Sequence, residues 1–345
     1  MKIARAFDNW YRYLQRFWPH LAKTKPVIRA TFTSSFIQYW YCQNWDLKRW
    51  LQEYRMLQKI GIDEIIIQSI ADTKTKYTVY PTKMEGYISN SIDMVGTAFE
   101  AAQIVGMNVR IGLGFNNDWW VNNAYVPEWL NSEARVNKNI VSEIVSMYGS
   151  YESLVGWYIP YEFHQSTALG HVQQANFNRF LREIAGTIKL NSDKTIMIAP
   201  FYNSRLSRNA PFASWSWSTT VYHSLSDTGI DIVALQDSIG AGFNTLDRLD
   251  KIYCKTKKVT DAMGITLYAI TETFDVTLAE SKPASCNRIK QQMAIEAPYV
   301  QCFVAFSIDH YQNGNEPSLS TGYEDYERYF LDQDERKSSG RNTKG

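Results

Sequence analysis

Two glutamates, Glu162 in GWYIPYEF and Glu272 in YAITETF, each close an apolar run with the composition of a buried strand. An acid in such a place is either structural, paired with an arginine or a backbone N–H, or held for proton transfer. A pair of such acids can cleave acetals. One protonates the leaving oxygen and the other attacks the anomeric carbon; carboxyl groups ~5 to 5.5 Å apart give retention, and ~6.5 to 9.5 Å leaves room for a water and gives inversion.

Other polar side chains end similar runs: Gln38, Gln68, Asn116, Asn203, Gln236 with Asp237, and Asp309. Sugars present apolar C–H faces ringed by hydroxyls, so a site for them needs aromatic platforms beside amides and acids. Trp40, Trp45, Trp119, Trp120, Trp215 and Trp217 lie in or beside the segments that follow the runs, as do Tyr77, Tyr80 and Tyr87. Some of these rings are expected only to pack the loops, because aromatics dominate core burial. Trp157, inside its run, is a wall or core residue, and Tyr158 and Phe163 can give Glu162 apolar surroundings. The expected substrate-binding set is therefore Gln38, Trp40, Gln68, Asn116, Trp119, Trp120, Tyr158, Asn203, Gln236, Asp237 and Asp309. Asp237 and Asp309 are also alternative catalytic acids.

Competing chemistries have little support. Of 5 histidines only His164 and His310 fall near run ends and no H-x-H pair exists, so no metal and no cofactor are expected. None of the runs carries the lysine a Schiff base requires. The segment SIGAGFN has glycines that could turn N–H groups toward an anion, but it reads first as a flexible loop. Cys42, Cys254, Cys286 and Cys302 are dispersed and read as ordinary buried thiols. With 36 Lys+Arg against 35 Asp+Glu the net charge is +1, which offers no nucleic-acid footprint. There is no apolar stretch of ~18 residues for a membrane span and no signal-peptide pattern. The expected location of the chain as given is cytoplasmic, or secreted if a leader has been removed. Oligomeric state is left open.

The elements that must position these groups alternate. Eight β-branched or aromatic runs, at 31–38, 63–70, 108–115, 154–162, 195–202, 231–238, 266–273 and 302–309, are separated by helical patterns. Four runs follow a glycine stop, at Gly61, Gly106, Gly229 and Gly264, where a left-handed residue ends a helix. The clearest helix has Leu47, Trp50, Leu51, Tyr54, Leu57 and Ile60 on one stripe and Asn44 as its expected cap. Eight βα units predict an α/β fold, a single-domain (β/α)8 TIM barrel over residues 28–331, whose catalytic face lies at the carboxyl ends of the strands. Residues 1–27 form a basic amphipathic pattern, expected to be a helix closing the barrel, and 332–345 read as a disordered polar tail.

The segments FTSSFIQYW, GIDEIIIQS, GWYIPYEF and ITETF resemble a bacterial family of glycoside-hydrolase-like barrels named domain of unknown function 4434, over roughly residues 28 to 330. The resemblance implies a glycosidase-type barrel acting on carbohydrate. In the wider clan of retaining barrel glycosidases the acid/base glutamate ends strand four and the nucleophile ends strand seven, which implies these roles for Glu162 and Glu272. That clan usually has Asn before the acid/base; this chain has Tyr161 there, so Gln236, Asp237 or Asn203 would have to meet the sugar hydroxyl. The same residues also fit a barrel that binds carbohydrate without cleaving it.

Overall fold

The computed structural model describes residues 30–206, 213–277 and 280–341; the N-terminal helix expected over 1–27 lies outside them. Eight parallel strands close on themselves: β1 Ser34–Ile37, β2 Glu64–Ile67, β3 Asn108–Gly112, β4 Leu154–Ile159, β5 Thr195–Ile198, β6 Ile232–Gln236, β7 Thr266–Glu272 and β8 Phe303–Phe306. Each pairs with its neighbours in sequence, and β8 pairs with β1, so the ring is a (β/α)8 barrel. The helices are α1 Leu47–Lys59, α2 Met94–Val105, α3 Pro127–Tyr148, α4 His171–Asn191, α5 Ala213–Leu225, α6 Leu246–Met263, α7 Cys286–Glu296 and α8 Ser320–Arg341. Among the described residues no helix is long and apolar enough to cross a membrane.

Strand periodicity divides the core in two. Phe36, Ile66, Tyr158, Met197, Ala199, Ile232, Ala234, Ile270 and Val304 fill the barrel interior. The residues between them, such as Ile65, Ile67, Trp157, Ile198, Leu235 and Ala269, pack outward against the helices. Successive side chains alternate faces, so Gln38, Gln68, Phe201, Gln236 and Glu272 continue the inward set past the last apolar layer, while Asp237 belongs to the outward set. At the floor Arg110 reaches across the interior, bonding Glu64 at 2.6 Å and the Thr195 hydroxyl at 3.1 Å.

The glycine stops adopt the left-handed conformation, with φ of 81° at Gly61, 72° at Gly106, 84° at Gly229 and 70° at Gly264. Helix α1 is capped by Asp46, not Asn44: its carboxylate accepts the Arg49 N–H at 2.8 Å. The long segment after β2 is partly ordered as a sheet, in which Ala71–Asp72 pairs with Tyr77–Thr78 and with Gly114–Phe115. After β7, Phe274–Val276 pairs with Ser281–Pro283.

The polar terminus departs from expectation, because α8 continues to Arg341. The helix is anchored where the Phe32 N–H donates to the Tyr326 hydroxyl and the Tyr323 hydroxyl donates to the Met56 carbonyl. Once such a helix is nucleated, further Glu, Gln, Lys and Arg residues extend it at little cost. The cysteines are free thiols, with Cys42 and Cys286 buried but Cys254 and Cys302 half-buried.

Candidate active site

Past the carboxyl ends of β4, β5, β6 and β7 lies a cavity of about 400 Å³. Trp120, Glu162, His164, Phe201, Asn203, Gln236, Ser238, Ala241, Phe243 and Glu272 line it, so the two glutamates meet in one space. Glu272 is the last residue of β7, whereas Glu162 stands three residues beyond the end of β4, in the loop.

Glu162 rests on the barrel's apolar ceiling. The Tyr158 hydroxyl, from an inward position on β4 four residues earlier, donates to its Oε1 at 3.4 Å, and the Trp119 indole N–H donates to its main-chain carbonyl at 2.6 Å. Burial pushes the Glu162 carboxyl up to about 7, with hydrogen bonds from Gln236 and Tyr158 pulling the other way. A neutral carboxylic acid is thereby present near neutral pH.

Glu272 is held differently. The backbone N–H of Ala241 donates to its Oε2 at 2.7 Å, so the glycine-bearing segment after β6 does offer an N–H to an anion, one belonging to the protein itself. A guanidinium lies nearby, but Arg288 spends its Nη2 on the main-chain carbonyls of Glu272 and Phe274, at 3.0 and 2.7 Å. The carboxylate therefore faces the cavity and is not locked beneath it by an arginine. Burial raises the Glu272 pKa well above the usual carboxylate range, and the charge of Asp237 adds to this; the Ala241 N–H and Arg288 oppose both.

Behind Glu272, on the helix side of β6 and β7, is a second layer of acids. Asp237 accepts the N–H groups of Ile239 and Glu272 and the amide of Gln292. Glu296 accepts the Thr271 hydroxyl at 2.9 Å. Burial raises both carboxyls, and each is further affected by its neighbours.

The expected binding residues separate into groups. Trp120, Asn203 and Gln236 line the cavity with the two glutamates. Gln38 and Gln68 join side chains at 2.6 Å, and Trp40, 52% exposed, stands against His310; these three lie outside the cavity lining. Tyr158 is buried beneath Glu162. The remaining four are buried and lie outside the cavity lining. Trp119 is fully buried between Trp129 and Phe177, because its neighbour Trp120 takes the outward position on the same turn. Asn116 is buried and donates to Glu133 at 2.8 Å. Asp237 points out of the barrel, as its strand parity requires. Asp309 is buried, with the Tyr41 hydroxyl donating to it.

Among the other rings, Trp217 and Tyr80 are fully buried, Trp45 packs on Trp50, and Tyr77 donates to Gln43; Tyr87 is half-buried, and the side chain of Trp215 lies outside the described residues. Five lining residues were not in the expected site set: His164, Phe201, Ser238, Ala241 and Phe243. Phe201 carries a signal, since it continues the inward period of Met197 and Ala199; the other four lie beyond the strands, where no such period holds.

Gly240 holds the Glu272 contact in place. A Cβ there would stand 2.0 Å from the Phe274 carbonyl and 3.0 Å from Glu272 Oε2, and the first atom is backbone. Gly240→Ala is expected to push the loop off β7 and weaken the protein by about 1 to 3 kcal/mol, the usual cost of overpacking. Urea unfolding measures it.

Residues 31–320 match the family described as "Domain of unknown function (DUF4434)". No curated protein matches the chain in sequence. Among solved structures, a candidate alpha-L-fucosidase from Bacteroides thetaiotaomicron is similar at a TM-score of 0.74 and 22% identity, over 90% of this chain and 96% of its own. A GH113 beta-1,4-mannanase gives a TM-score of 0.51 at 12% identity, over 87% and 98% of the two chains. A family 1 b-glucosidase from Thermotoga maritima gives 0.50 at 10% identity, over 83% and 90%. At these identities the likeness is one of fold, a barrel that glycoside hydrolases use.

Proposed function

The chain belongs to the DUF4434 family, and from that premise we propose that it is a retaining glycoside hydrolase that cleaves an oligo- or polysaccharide. The observation that carries this reading is the shared cavity of Glu162 and Glu272. Glu162 is the general acid/base. Its carboxyl, raised to about 7 by burial, can give a proton to the leaving oxygen and take one back from water, and an acid works best with its pKa near the operating pH.

Glu272 is the nucleophile. It needs to be ionised, and of the two glutamates it alone accepts a backbone N–H and lies near a guanidinium. Asp237 opposes that ionisation while it is charged, so an ionised Glu272 requires that the hydrogen-bonded pair of Asp237 and Glu296 hold a proton. Trp120, Phe201 and Phe243 supply apolar faces for sugar rings, and Asn203 and Gln236 supply hydroxyl partners, Gln236 and Asn203 being the residues available to replace the clan's missing Asn.

Tyr158 tunes the acid. Its hydroxyl stabilises the Glu162 carboxylate, so Tyr158→Phe removes a stabilising bond from the charged form and raises the pKa. The alkaline limb of the kcat/KM profile, where the acid loses its proton, is expected to move to higher pH by a few tenths of a unit.

The test of the activity is a sugar-release screen over plant, microbial and host glycans, with proton NMR of the first anomer released. Retained configuration is the expected result. Inversion would make Glu272 a base that activates water, and binding without release would leave a carbohydrate-binding barrel.

A further inference from the structure

His164 shares the cavity wall with Glu162 and has no part in the mechanism above. It follows Glu162 by two residues in a turn that is closed twice: the His164 N–H donates to the Thr167 hydroxyl at 3.1 Å, and the Thr167 N–H donates to the His164 carbonyl at 3.0 Å. The imidazole packs on Phe201 with ring centres 4.9 Å apart, and Phe201 stacks on Phe243 at 5.8 Å. The Ser166 N–H donates to Nδ1 at 3.2 Å. A nitrogen that accepts carries no proton, so in the neutral ring the proton is on Nε2, on the other edge.

Turn, stack and tautomer thus fix a donor in a wall of the cavity. The loop that carries it also carries the acid, and the group beside the acid meets the departing half of the substrate. Resting on the glycosidase reading, we propose that His164 is a neutral hydrogen-bond donor for a hydroxyl of the leaving group, so that the site selects glycosides whose leaving group is itself a sugar. The ring stays uncharged in working conditions, because burial lowers its pKa to about 4. The titratable groups that share the cavity are Glu162 and Glu272.

The experiment compares His164→Phe, which keeps a ring and loses the donor, with His164→Gln, whose terminal amide restores a donor near the same place. Substrates are tri- and tetrasaccharides of glucose, mannose, fucose and N-acetylglucosamine, and the 4-nitrophenyl glycosides of the same sugars. For the series the wild type cleaves, His164→Phe is expected to lose about tenfold in kcat/KM on the oligosaccharide, the scale of one lost hydrogen bond to a buried partner. It is expected to stay within about twofold on the nitrophenyl glycoside, which has no hydroxyl there to bind, and His164→Gln is expected to recover most of the loss. Equal losses on both substrate types, or no loss, overturn the proposal while the glycosidase reading stands. Should the wild type cleave none of them, calorimetry with the same oligosaccharides decides: weaker binding by His164→Phe supports the donor although the hydrolase reading has failed, and unchanged or absent binding overturns it. Nitrogen-15 spectra give an independent readout, with an unprotonated Nδ1 expected from pH 5 to 8 and a ring that charges near pH 6.5 counting against it.

Discussion

Replacing Glu162 by Gln is expected to lower kcat/KM on oligosaccharides about 10²- to 10⁴-fold, the usual contribution of a positioned acid, and to do much less harm on nitrophenyl glycosides. The difference comes from the leaving group. An alkoxide needs a proton as it departs, whereas a nitrophenolate leaves without one. Glu272→Gln is expected to remove turnover of both substrate types, with losses on the order of 10⁶-fold, as for other lost nucleophiles. Added azide separates the roles further: with Glu162→Gln it should yield a glycosyl azide of retained configuration, because it attacks the covalent intermediate on Glu272. Activity on oligosaccharides within tenfold of wild type in either variant removes that residue from the mechanism.

These assignments were legible in the sequence to the extent that strand parity governs them. The eight strands, the glycine stops and the inward direction of Gln236 and Glu272 all follow from a two-residue period anchored on apolar neighbours such as Ala234 and Ile270. The same rule, applied strictly, separates Gln236 from Asp237, which the composition of the strand end alone puts together. Loops have no such period. Nothing in NNDWWVNN says that Trp119 turns inward to donate to the Glu162 carbonyl while Trp120 reaches the cavity; nothing marks Phe243, and His164 is marked only by its place near a run end. The Ala241 N–H that holds Glu272 is a backbone group; its trace in the sequence is the flanking glycine pair, of which Gly240 lies close to Glu272 and Phe274.

Whether the two cavity acids are structural or catalytic also has a thermodynamic answer: Glu162→Gln is expected to be more stable than the wild type at pH 8. Burial has raised the Glu162 pKa from 4.5 to about 7, so the folded protein holds a proton that the unfolded chain releases near pH 4.5. Where the folded state binds more protons, stability falls as pH rises. The penalty is absent below about pH 4, grows through pH 5 to 7 and is complete above the folded pKa. At about 1.36 kcal/mol per unit, the shift of 7 − 4.5 = 2.5 units sets a ceiling of roughly 3 kcal/mol, which solvent reaching the half-buried carboxyl through the cavity will reduce. A glutamine never ionises and escapes this cost. Glu272 follows the same sign, since burial and Asp237 raise it too. A structural acid behaves in the opposite way. Glu133 is buried and accepts the hydroxyls of Thr73 and Tyr161 at 2.6 and 2.7 Å and the Asn116 amide at 2.8 Å; a glutamine there would set its N–H₂ against a donor, and Glu133→Gln is expected to cost about 1 to 3 kcal/mol. Urea unfolding of the three variants at pH 4.5, 6 and 8 measures both signs. A Glu162→Gln protein less stable than wild type at pH 8 would mean that the fold depends on this carboxylate, and the case for a site kept at the expense of stability would be lost.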